Sequence, residues 1–145
     1  MKILDYIFYR TYMAYVKAND PATFGSVSYL MVCLTFLLLP IGGGLAQLIR
    51  GENDNIFNFF MILYFILIVT FVLVRYLRRN KIRDIIACFL LCNANSIIPT
   101  WCIFLVVPIC MVTGVAGFLL ECKYIIVPYN LEGIWYDSLI KLFGN

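Results

Sequence analysis

Charged residues fall in a few short clusters along this chain, and the stretches between them are apolar without the one-sided alternation of a water-soluble core. Residues 24–49 carry no charge. At about 1.5 Å per residue, a helix of that length exceeds the roughly 30 Å hydrocarbon thickness of a bilayer, so 24–49 is predicted as a first transmembrane helix. Pro40 and the run Gly42, Gly43, Gly44 lie in its second half and predict a kink there. Glycines are poor helix formers, so a flexible exit into the loop at 50–55 is the reading preferred over a functional hinge. A second span is predicted at 56–76, polar along 56–74 only at Asn58 and Thr70.

Residues 85–120 are again uncharged, too long for one straight span and barely enough for two. The stretch 85–92 is far shorter than the roughly 20 residues a spanning helix needs. Asn93 and Asn95, if held deep in lipid by a turn, would also need polar partners. The pattern therefore predicts a basic loop and interfacial segment at 77–96 and a third span at 97–120. A fourth span, with Asn93 to Ser96 as the turn, is the alternative. Trp101 suits the aromatic belt at the membrane boundary, and Pro108 predicts a kink in the middle of the third span.

The two ends read as surface helices. Over 3–17, helical stepping gathers Ile3, Leu4, Ile7, Phe8, Thr11, Ala14 and Tyr15 on one arc, with Lys2, Asp5, Tyr6, Tyr9, Arg10 and Lys17 on the other. Segment 1–23 is thus predicted to lie along the membrane surface, with packing on the protein's own loops as the alternative. Within the tail, 121–145, an extended stretch at 124–129 is expected to precede a short amphipathic helix over 131–143. The fold class that follows is all-α: one polytopic membrane domain, 1–145, with three transmembrane helices and N- and C-terminal amphipathic helices.

Charge then sets orientation. Arg75, Arg78, Arg79, Lys81 and Arg83 place five of the eleven basic residues at the end of the second span and just beyond it. Short basic loops stay cytoplasmic, which makes this cluster the topology anchor and predicts a cytoplasmic amino terminus in a bacterial inner membrane. The stretch has neither the interleaved aromatics nor the recognisable domain of a nucleic-acid site, so no nucleic-acid partner is expected. The first apolar run begins only at Phe24, after Asp5, Arg10 and Asp20, so the first span is expected to be retained rather than cleaved as a signal peptide.

Chemistry is sparse. The chain has no histidine, no phosphate-binding loop and no nucleophile elbow, and no catalytic, cofactor-binding or metal site is read from it. Cys88 and Cys92, one helical turn apart, lack the further ligands of a zinc centre and read as apolar packing, as do the other cysteines. No acidic or basic residue falls within 24–49, 56–74 or 97–120, against transport by an ion-coupled carrier. On the third span Cys110, Thr113, Gly114 and Gly117 form a small-residue face at four-residue spacings, suited to close helix packing within the chain or between copies.

The run Leu4 to Tyr12, the apolar span after it, the basic loop after span two, and Ile97-Ile98-Pro99-Thr100-Trp101 resemble small uncharacterised membrane proteins of Bacteroidota. That resemblance implies a polytopic membrane protein and no particular activity. The expected role is a non-catalytic accessory or scaffold subunit of a membrane assembly, whose partners are the lipid bilayer and another membrane subunit. A homo-oligomeric, holin-like pore is the alternative.

Overall fold

The computed structural model describes residues 2–49, 54–91 and 97–126, with the backbone alone at 54, 79 and 80. Among the described residues all regular structure is helical: α1 Lys2–Lys17, α2 Ala22–Leu37, α3 Leu39–Ile49, α4 Asp54–Tyr76, α5 Arg79–Phe89, α6 Thr100–Phe104 and α7 Val106–Glu121, which continues as a π-helical turn, Cys122–Ile126. Two stretches are long and apolar enough to cross a membrane, Asn55–Tyr76 and Thr100–Ile126, of 22 and 27 residues. The pair α2 and α3, bent by 53°, makes a third if it is taken as one span.

Prolines account for both interruptions. A proline lacks the N–H that would bond the carbonyl four residues back, and its ring crowds that carbonyl. For Pro40 the carbonyl is Phe36, and the helix breaks at Leu38; for Pro108 it is Phe104, and the break falls at Leu105. The loop at 50–53, the turn Asn93 to Ser96 and the tail helix expected over 131–143 lie outside the described residues.

The helices divide into two compact units, Met1–Leu34 with Ile68–Cys110, and Thr35–Leu67 with Met111–Asn145. The first holds most of the buried side chains. Phe8, Val27, Leu30, Ile68, Val72 and Tyr76 are its core, and the Phe8 and Tyr76 rings stack with centroids 4.7 Å apart. Here α1 departs from the sequence pattern, because Tyr9 and Arg10, expected on the wet arc, are buried together with Phe8 and Thr11. The cause is α5 and the chain leading into α6, which pack on that side. The rings of Tyr6 and Tyr9 meet Phe89 at 5.5 and 6.1 Å, and Arg10 Nη2 donates to the Ile98 carbonyl at 2.6 Å.

The basic stretch is helical for most of its length. Although 77–96 was expected to begin as a loop, Ile82, Ile85, Ile86 and Phe89 recur at i, i+3, i+4 and i+7, enough to give α5 an inward stripe. Its Ile85 is buried, while Lys81, Arg83 and Asp84 are exposed.

In the second unit the chain around the α2–α3 break is held by side chains from α4 and α7. Tyr64 Oη donates to the Thr35 carbonyl at 2.6 Å. A Cβ on Gly114 would overlap the Phe36 carbonyl, the one left without a donor by Pro40, and a Cβ on Gly117 would lie 2.9 Å from Pro40 Cγ. The glycine run is not a flexible exit, since Gly42, Gly43 and Gly44 are helical within α3. Each leaves room for a neighbour: the Tyr64 ring at Gly42, the Phe118 ring at Gly43 and the Glu121 carboxylate at Gly44. The extended stretch expected from residue 124 is also corrected, because Tyr124, Ile125 and Ile126 continue the helix.

Candidate functional site

The end of α4 meets α1 through a charged cluster. Arg75 Nη2 donates to both carboxylate oxygens of Asp5, at 3.0 Å each, and Tyr76 Oη donates to Asp5 Oδ1 at 2.8 Å. Arg75 Nε reaches the same hydroxyl at 3.3 Å, and its guanidinium lies 5.5 Å from the Tyr76 ring centroid. The pair is only about a fifth exposed on either side, so this arginine of the predicted topology anchor is also an internal structural contact. Arg78, Lys81 and Arg83 are exposed, and Arg79 opens α5.

Beside this cluster a groove of about 450 Å³ runs between α1 and α5. Its charged lining is Lys2, Asp5, Lys81 and Asp84, and its apolar lining is Ile85, Phe89 and Leu91 with Cys88. The floor is firm, since Ile85 is buried and Asp5 is held by Arg75, while Lys2, Lys81, Asp84 and Cys88 are open to their surroundings. Both signs of charge next to an apolar wall can receive an amphiphile with a zwitterionic head. A smaller cavity of about 210 Å³ lies on the other side of α1, lined by Tyr9, Arg10, Met13, Lys17 and Thr100. Arg10 spends part of its donor set there on the Ile98 carbonyl and, at 3.4 Å, on Thr100 Oγ1.

The small-residue face of the third predicted span is divided between neighbours. Cys110 is buried in the first unit with Tyr29 and Cys33, and Tyr29 Oη donates to the Ile103 carbonyl. Gly114 and Gly117 sit in the second unit against Phe36 and Pro40, whereas Thr113 is exposed. Cys88 is exposed on the groove, and Cys92 lies outside the described residues, so the pair is not described as one face. Among the described residues no three histidine, cysteine or acidic side chains come together in a way that could hold a metal ion.

Sequence reasoning missed two features. Glu121 was placed beyond the third span, yet the helix runs on to Ile126 and sets this carboxylate against Gly44. The groove itself was also missed, although Lys81, Asp84, Ile85 and Phe89 carry an i, i+3, i+4 and i+8 spacing that marks one side of a helix. Comparison of the chain with family models, curated proteins and solved structures returned no match.

Proposed function

We propose that this chain is a non-catalytic integral membrane protein of a bacterial inner membrane, with a cytoplasmic amino terminus, acting as an accessory or scaffold subunit of a membrane assembly. The observation that carries the reading is α4. Phe59, Ile62, Phe65, Ile66, Leu67, Phe71 and Val74 are all exposed along it, an apolar surface far too continuous for water. Lipid covers part of such a surface, and a partner helix covers the rest.

Three spans fit the helix lengths. At about 1.5 Å per residue, α2 with its 16 residues and α3 with its 11 are each too short for a core of about 30 Å, while the bent pair together is long enough. The engagement of Gly114 and Gly117 with Phe36 and Pro40 of the same chain favours a subunit over a homo-oligomeric pore, because those glycines are the residues a close helix contact between copies would use.

The test is the native mass of the assembly released in mild detergent, with and without Phe65→Ser plus Ile66→Ser on the exposed side of α4. A hetero-assembly of fixed stoichiometry that the double variant disrupts is the expected result. A bare monomer contradicts the scaffold role, and a closed ring of this chain alone supports the pore instead.

A further inference from the structure

We propose that the groove between α1 and α5 binds the headgroup of phosphatidylethanolamine, its phosphodiester against the ammonium groups of Lys2 and Lys81 and its own ammonium against Asp84. The inference rests on the membrane reading above and names the lipid that one site would take.

Depth is the first argument. Asp5 on the groove wall is bonded to Arg75 and Tyr76, the closing residues of α4, so the groove opens where a membrane-crossing helix ends. That is the layer in which lipid phosphates lie. Charge is the second. Asp5 is already paired with Arg75, which leaves two exposed ammonium groups and one exposed carboxylate to face a ligand. A phosphodiester accepts from lysines, and a primary ammonium donates to a carboxylate in a charge-assisted hydrogen bond.

The same chemistry separates this lipid from its competitors. A choline head carries the positive charge without an N–H, so Asp84 would lose its hydrogen bond. A glycerol head carries no cation, so with its phosphate on Lys2 and Lys81 it would offer Asp84 only neutral hydroxyl donors in place of an ammonium. The third argument is the apolar wall, where Ile85 and Phe89 lead to Leu91, which is 90% exposed and placed to lie along the first methylenes of an acyl chain. A free phosphate compound would leave that wall uncovered, which is why the occupant is a lipid.

The full chain, purified in mild detergent and exchanged into an equimolar mixture of phosphatidylethanolamine, phosphatidylcholine and phosphatidylglycerol, is read by native mass spectrometry. Retention of the ethanolamine lipid over the choline lipid by about fivefold is expected, the scale of one exposed charge-assisted contact. Asp84→Asn, at an exposed position, should bring that ratio to unity while leaving phosphatidylglycerol as high or higher. Lys2→Gln with Lys81→Gln should lower all three, and Lys81→Gln alone gives the same reading in part if the double variant accumulates poorly. Excess soluble glycerophosphoethanolamine should leave the bound lipid in place. Equal retention of the ethanolamine and choline lipids, preference for phosphatidylglycerol, an unchanged ratio in Asp84→Asn, or displacement by the soluble headgroup would each overturn the proposal. Failure of the chain to fractionate with membranes would instead fail the membrane reading, before any lipid is compared.

Discussion

Gly114 is the position where a single methyl group would matter most. Its Cβ would overlap a backbone carbonyl, that of Phe36, and backbone cannot swing aside as a side chain can. At Gly117 the added atom meets the Pro40 ring at 2.9 Å, where a small ring pucker gives room. Gly114→Ala is therefore expected to destabilise the folded protein by about 1–3 kcal/mol, and Gly117→Ala by less than half of that. The thermal midpoint of the detergent-solubilised protein measures both; equal shifts would remove the carbonyl contact from the account. The spacing of Cys110 to Gly114 and of Thr113 to Gly117 was visible in the sequence. Their partners were not, because nothing local to residue 114 points to a carbonyl 78 positions earlier, and Thr113 turned out to face outward. Arg75 carries a similar lesson. Its charge alone was visible in the sequence, whereas its bond to Asp5 depends on how α1 meets the end of α4.

At the scale of elements, the break between α2 and α3 is a proline effect, and a tyrosine of α4 bonds the chain just before it. A regular helix would bond the Thr35 and Phe36 carbonyls to the N–H groups of residues 39 and 40, and Pro40 has none. Pro40 therefore leaves the Phe36 carbonyl without its helical donor, and Tyr64 donates to the neighbouring Thr35 carbonyl. Tyr64→Phe should cost about 0.6 kcal/mol in the native chain, the usual size of such a bond between membrane helices. In a Pro40→Ala background the restored N–H of residue 40 serves the Phe36 carbonyl and not that of Thr35, so the same change should cost about as much. A double-mutant cycle measures the difference, and a cost that vanishes in the Pro40→Ala background would contradict the independence of the two carbonyls. Helix positions were largely legible, since long uncharged runs and prolines report locally: 56–76 was expected where α4 spans Asp54–Tyr76, and a kink was expected at Pro40. Environment was not legible. Periodicity marks two sides of α1 without saying whether the second side meets water or α5, so Tyr9 and Arg10 were misplaced. The glycine run was misread for the same reason, because the rings of Tyr64 and Phe118 that fill its surface come from distant parts of the chain.

For the whole molecule, the reading stands on the placement of charge relative to apolar helices. Arg78, Lys81 and Arg83 are exposed at the end of α4, and moving such groups across hydrocarbon costs about 2.5–3.5 kcal/mol each at its centre. Around the opposite end of α4 the sequence carries one basic residue, Arg50, offset by Glu52 and Asp54. With three spans, the two loops lie on opposite sides and a carboxyl-terminal fusion lies on the side away from α5. The most direct measurement is a set of topology reporters fused at residues 53, 80 and 145. The account predicts a cytoplasmic reporter at Asn80 and external reporters at Asn53 and Asn145; an external Asn80 would contradict the orientation, and a cytoplasmic Asn145 would contradict the three-span count.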